Sequence, residues 1–256
     1  MRYLSDSGTG FEKMDEKFSL GNIMINVSSD HRFGTDAFLL ADFAAPLPSQ
    51  NVCDLCSGCG VIPLYFCRRK PPERIYAVEL QREAVELIRR SVEENGLQDR
   101  IIPVQADLCD KEALVQLVPR EKMDMVTVNP PYYRENSGKE RISEAQRLAR
   151  HEIACDLEKV IEAADLLLKY GGVLKMCHLP ERLAEAFFLM QKSRIEPKRL
   201  TLVYNKEGER PWLALIEGKK GGKTGLVVDK PLVMRRDDGE YTEELRKIYD
   251  MRENGT

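Results

Sequence analysis

The sequence predicts an α/β protein: a doubly wound, mostly parallel sheet with helices on both faces, behind a short N-terminal hairpin and helix. Two observations carry this. From residue 51 onward, short apolar runs alternate with longer amphipathic stretches, the pattern of parallel strands buried under crossover helices. Asp54, Glu79, Asp107 and Asn129 each close one of the first four apolar runs. Four polar side chains would therefore share one crevice at the carboxyl ends of the strands, where such sheets bind ligands.

In order, residues 18–28 alternate well enough for a hairpin, and 35–45 read as a helix capped by Thr35 or Asp36 and ended by Pro46. Residues 51–57 make a buried strand. Helix 60–70 follows, with Pro63 tolerated in its first turn. Strand 74–80 ends in an acid. Helix 82–97 has an apolar stripe of Ala84, Leu87, Ile88 and Val92 and closes at Gly96. Strand 100–107, helix 111–118 and strand 123–132 follow, the last running into Pro130-Pro131. Residues 156–169 fit a helix that Gly171 and Gly172 would end, before a strand at 173–179. A helix from Pro180 and strands at 199–205 and 211–218 bring the count to seven. Residues 224–234 read as one more edge strand or an extended arm.

With 43% hydrophobic and 32% charged residues, the composition is that of a soluble globular chain, and no apolar run approaches the ~20 residues needed to span a bilayer. The first residues are polar, without a signal core. The expectation is one cytoplasmic domain over 18–250 behind a flexible segment 1–17. Seven cysteines, an odd number lying in strands and helices, argue against a disulfide framework. Net charge is −3, but residues 192–236 hold twelve Lys or Arg against five acids. That asymmetry fits either a phosphate-facing patch or a solvated surface.

Cys53, Cys56 and Cys59 are spaced like metal ligands, yet a metal site needs a fourth soft ligand or an external one. Residues 53 and 56 of one strand also point to opposite faces. The histidines at 31, 151 and 178 show no paired spacing, so no metal is expected. The same stretch reads better as a cradle: Asp54, then Ser57-Gly58-Cys59-Gly60, between a strand and a helix. It is not Gly-x-Gly-x-x-Gly, because residue 63 is proline, and no Walker pattern is present, so no pyrophosphate pocket is indicated. Glu79 at the second strand end can accept ribose hydroxyls, and Asp107 at the third can accept from an adenine amine. Together they describe a pocket for an adenosyl group without a pyrophosphate.

Asn129-Pro130-Pro131-Tyr132 suits one task. Proline fixes φ and offers a carbonyl without an N–H, and the residue before it is held extended. The Asn129 side-chain oxygen and the Pro130 carbonyl can accept both hydrogens of an exocyclic amine, while Tyr132 offers a flat face to its ring. Such a grip aims the nitrogen lone pair at an electrophile without a strong base.

Asp54, Gly58-x-Gly60, Glu79, Asp107 and the Asn129–Tyr132 motif resemble the S-adenosylmethionine-dependent amino-methyltransferases. More closely, with residues 31–37, 149–152 and 197–199, the chain resembles the bacterial tRNA1(Val) (adenine-37 N6)-methyltransferases over about residues 18–250. The resemblance implies a Rossmann-like class I methyltransferase fold, S-adenosylmethionine as cofactor and tRNA as partner. It implies methyl transfer to N6 of a flipped adenine held by Asn129 and Pro130, with Tyr132 stacked on the base. It also implies cofactor contacts from Thr35, Asp36, Asp54, Ser57, Gly58, Gly60, Glu79, Leu80, Asp107, Leu108 and Asn129. The cysteine-rich loop departs from the pattern and invites thiol sensitivity. Lys139, Arg141, Arg147 and Arg150, on a charged stretch after the motif, and Lys198 and Arg199 are candidates to meet RNA phosphates. Trp212 is expected to pack in the sheet. Release-factor glutamine or DNA adenine are alternative acceptors for the same chemistry. The DNA enzymes usually add a recognition domain and the release-factor enzymes an N-terminal helical one. A non-catalytic cofactor- or RNA-binding module is the reading from another class, which the intact motif argues against.

Overall fold

The structure, a computed structural model, describes residues 16–68, 70–130 and 157–249. It opens with the expected hairpin, β1 (Glu16–Leu20) and β2 (Ile23–Val27), turned at Gly21, whose φ of 63° a residue without Cβ adopts freely. Helix α1 (Thr35–Ala44) follows. Its cap is neither Thr35 nor Asp36 but Gly34, with φ −104° and ψ 180° and no side-chain bond to the helix. Both predicted capping side chains are used elsewhere, as described below.

The alternation then runs as β3 (Asn51–Leu55), α2 (Val61–Phe66), β4 (Arg74–Glu79), α3 (Arg82–Glu94), β5 (Ile101–Gln105), α4 (Lys111–Leu117) and β6 (Met123–Val128). After α5 (Leu157–Leu167) come β7 (Leu168–His178), α6 (Leu183–Lys192), β8 (Ile195–Lys206) and β9 (Leu213–Lys220). Two short strands, β10 (Val227–Val228) and β11 (Leu232–Arg235), precede a last helix, α7 (Glu243–Ile248). Among the described residues the sheet has nine strands rather than seven, because β10 and β11 both pair with β8. Its main path runs β10-β8-β9-β7-β6-β3-β4-β5, and β9 is antiparallel to both β7 and β8.

Gly171 and Gly172 do not end α5. The helix stops at Leu167, and the glycines lie in the start of β7, where pairing with β6 jumps from Met123↔Leu168 to Met125↔Val173. The bulge that absorbs the extra residues uses Gly171 at φ 79°. A Cβ on Gly172 would come within 2.9 Å of the Met123 carbonyl oxygen.

Alternating residues of each strand separate two cores. Val52, Ile75, Ile101 and Met125 face α1, α2, α3 and the hairpin. Cys53, Leu55, Val78, Val126 and Val128 face α4, α5 and α6. Asn95 of the α3 C-cap ties the hairpin down by accepting from Met24 N (2.9 Å) and donating to its carbonyl (2.7 Å). Helix α7, which the sequence reading did not anticipate, packs on α1, and Tyr65 Oη donates to the Ile248 carbonyl at 3.2 Å. No described helix is long and apolar enough to cross a membrane.

Candidate active site

At the carboxyl ends of β3 to β6 lies a cavity of about 600 Å³. Of the four strand-end residues, Glu79, Asp107 and Asn129 line it, with Asp36, Ser57, Gly58, Leu80, Leu108 and Pro130. Most of the cofactor candidates thus line one cavity; Thr35, Asp54 and Gly60 do not.

Asp54 lies just beneath. It is fully buried on the α1 face of β3, and both oxygens are taken. Thr127 Oγ1, from the adjacent position on β6, donates to Oδ1 at 2.5 Å, and Ser57 Oγ donates to Oδ2 at 2.7 Å. Burial outweighs these two bonds, and with the nearby Glu79 charge it pushes the Asp54 carboxyl up to about 7. Asp54 is not among the cavity-lining residues; it holds the turn that is.

That turn needs left-handed backbone at three places: Cys56 (φ 57°), Gly58 (φ 55°) and Gly60 (φ 81°). The two glycines differ in reason. Around Gly58 nothing lies within 4 Å of where a Cβ would stand, so its open side faces the cavity. At Gly60 a Cβ would stand 3.0 Å from Ile88, so this glycine seats the loop against α3 and does not line the cavity. Gly58 N donates to Glu79 Oε2 (2.9 Å), while Leu80 N (2.9 Å) and Gln81 N (3.0 Å) donate to Oε1. Three backbone N–H groups thus fix the Glu79 carboxylate at the rim. Asp107 is exposed, and its Oδ1 accepts from Cys109 N at 2.8 Å.

Asn129 is half-buried, one residue beyond β6. Its Nδ2 donates to Asp36 Oδ2 at 3.3 Å, and its Oδ1 accepts from the buried Cys177 thiol at 3.0 Å. Thr35, by contrast, does not line the cavity; its Oγ1 accepts from Tyr249 Oη at 2.7 Å. The Cys177 and Tyr249 contacts had no signature in the sequence.

The RNA candidates part ways. Pro131, Tyr132, Lys139, Arg141, Arg147 and Arg150 lie outside the described residues. Lys198 Nζ donates to the Lys223 carbonyl (2.9 Å), and Arg199 pairs with Asp229 (2.9 Å) and Glu217 (3.6 Å). Lys192, Arg194 and Lys220 of the basic stretch also meet acids: Glu158, Asp165, and Asp165 again. Lys175 belongs to the same α1-facing row as Arg199 and Glu217, and donates to the Phe43 and Ala44 carbonyls at the α1 C-terminus. Much of the positive charge thus neutralises local acids. Trp212 packs against the core, as expected.

A family model, the methyltransferase small domain, matches residues 26–178. The tRNA1(Val) (adenine(37)-N6)-methyltransferase of Porphyromonas gingivalis is 30% identical over 190 residues, covering 73% of each chain. The chain belongs to the methyltransferase small-domain family. The enzyme of the same name from Flavobacterium psychrophilum is 30% identical over 219 residues, 83% of this chain and 88% of that one. Among solved structures, a predicted O-methyltransferase from Agrobacterium tumefaciens shares the fold with a TM-score of 0.67 and 24% identity, over 84% of this chain and 95% of that one. TYW2 of M. jannaschii, solved with AdoMet, superposes with a TM-score of 0.54 and 15% identity, over 84% of this chain and 89% of that one.

This methyltransferase is an enzyme whose cofactor is S-adenosylmethionine, and the cavity fits that molecule. The open face at Gly58 admits close approach, the fixed Glu79 carboxylate can accept hydroxyl groups, and Leu80 and Leu108 offer apolar walls.

The described cysteines of the 53–59 stretch part ways: Cys53 packs in the core toward α5 and Cys59 in the core toward α1. Two others bear on the cofactor instead. Cys56 is half-buried, Cys109 is exposed, and both line the cavity. A maleimide is expected to label Cys109 before Cys56 and to abolish S-adenosylhomocysteine binding, and that ligand at saturation is expected to slow the labelling of Cys109 several-fold. Intact mass and titration calorimetry check this; equal labelling rates with and without ligand would remove Cys109 from the cavity.

Proposed function

We propose that this enzyme methylates the exocyclic N6 of adenine in tRNA, at adenine 37 of valine tRNA, in the cytoplasm. The observation that supports it best is Asn129 at the cavity wall beside Pro130, with its amide tied on both sides. Bound S-adenosylmethionine supplies an electrophilic methyl group on a positively charged sulfur. Asn129 Oδ1 and the Pro130 carbonyl accept the two hydrogens of the amine, which draws its lone pair out of conjugation and toward the methyl. Tyr132 stacks on the flipped base, a contact of ~1–3 kcal/mol. Glu79 accepts from the ribose hydroxyls, Asp107 and Leu108 meet the cofactor's adenine, Leu80 packs against it, and Ser57 and Gly58 face the methionine part. Asp54 and Gly60 shape the loop. The names of the relatives in Porphyromonas and Flavobacterium support the choice of acceptor.

The test is incubation with methyl-labelled S-adenosylmethionine and bulk tRNA, followed by nucleoside digestion. N6-methyladenosine from a valine tRNA is expected. Label in protein alone would move the reading to glutamine methylation, and label only in DNA would move it to the DNA enzymes.

A further inference from the structure

An asparagine side chain presents two ends of nearly equal shape, and only one of them accepts a hydrogen bond. Asn129 can grip an amine only if its oxygen, not its nitrogen, is turned to it. What surrounds the amide decides this.

The β6–β7 register pairs Val128 with Met176, so the next residues, Asn129 and Cys177, stand side by side. Alternation puts both on the face covered by α1, whose first turn carries Asp36. That turn is fastened from outside, since Tyr249 donates to Thr35 at 2.7 Å. Asp36 Oδ2 then faces Asn129 Nδ2 at 3.3 Å, and the Cys177 thiol donates to Oδ1 at 3.0 Å. A carboxylate can only accept. Turning the amide over would set two oxygens against each other in a half-buried site and leave the NH2 facing a thiol, a poor acceptor. With the carboxylate in place, one orientation is much lower in energy, and it leaves the second lone pair of Oδ1 for the amine.

We propose that Asp36 is a positioning residue that fixes the Asn129 amide with its oxygen toward the substrate amine, and that Cys177 supports it from the opposite side. This rests on the reading of Asn129 as the amine acceptor. It differs from the cofactor contact that family resemblance implies for Asp36.

The experiment exchanges the two side chains in the full-length enzyme. Asn129→Asp alone sets two carboxylates against each other and is expected to lower kcat about 30-fold or more. Asp36→Asn combined with Asn129→Asp restores an amide–carboxylate pair, keeps the net charge, and still presents an oxygen to the amine. The exchange is expected to raise kcat at least about tenfold over the single Asn129→Asp variant, a coupling that independent sites do not show. Asp36→Ala provides the second measurement, with thermal melts confirming that each variant folds. It should lower kcat about tenfold while the S-adenosylmethionine Kd stays within about twofold. No recovery in the exchanged enzyme overturns the proposal. So does an Asp36→Ala enzyme whose Kd rises while kcat at saturating cofactor is normal, since Asp36 would then serve the cofactor. Asn129→Ala run alongside separates the two levels. If it retains turnover, the acceptor reading itself fails; if it is inactive and the exchange does not recover, only the role of Asp36 fails.

Discussion

Asn129→Ala is expected to lower kcat by about 10²–10³-fold while leaving the Kd for S-adenosylmethionine within about threefold. The magnitude follows from removing one oriented hydrogen-bonding group at the reacting centre, typically about 3–4 kcal/mol of barrier in an enclosed site. Affinity is spared because the rest of the cavity is built on other strands. Glu79 is fixed by Gly58, Leu80 and Gln81 N–H groups, and Asp107 by Cys109 N–H, none of which involve Asn129. The fold loses little: the truncation removes one bond from the Cys177 thiol, a weak donor, and one long bond to Asp36, a cost of about 1–2 kcal/mol. Single-turnover methylation and calorimetry on the same preparation check both halves. Lost cofactor binding with normal turnover at saturating cofactor would show that Asn129 holds the cofactor rather than the amine.

Which parts of this were legible beforehand follows from the range of the forces involved. The crossover helices and buried strands declare themselves within a dozen residues, because burial imposes a period on each segment separately. The strand-end cavity follows from topology alone, and Glu79, Asp107 and Asn129 stand where alternation put them. Three of the errors are of one kind. Gly171-Gly172 looks like a helix stop, and only the β6–β7 pairing makes it a bulge. Thr35 and Asp36 look like caps, and only Tyr249 and Asn129, far along the chain, claim their oxygens. Cys177 looks like an apolar filler until register places it beside Asn129. Each needed a partner from another strand or helix, which no local pattern names.

The second large effect concerns the buried carboxyl under the loop. The Asp54 carboxyl, pushed up to about 7 mainly by burial, sits near 3.9 in an unfolded chain. Between those values the folded protein holds a proton that the unfolded chain has released, so stability falls as pH rises across this window. The contribution is fully present below about pH 4 and is lost once pH passes about 7. About three pH units at 1.36 kcal/mol each make roughly 4 kcal/mol. Asp54→Asn removes the proton but keeps an oxygen for Thr127, and Ser57 Oγ can turn to accept from the new amide. The free variant is therefore expected to match the wild type near pH 4 and to exceed it by a few kcal/mol at pH 8, read from denaturant melts at each pH. The difference curve isolates this one group from every other titration in the chain. A flat difference would mean that Asp54 is ionised throughout, held by something stronger than two hydroxyls. A carboxyl that ionises near neutral pH directly beneath a cationic ligand also gains its charge more readily when that ligand is bound. Cofactor affinity in the wild type should accordingly rise between pH 6 and 8, and Asp54→Asn should flatten the rise, tying the stability of the loop to its occupancy through one buried proton.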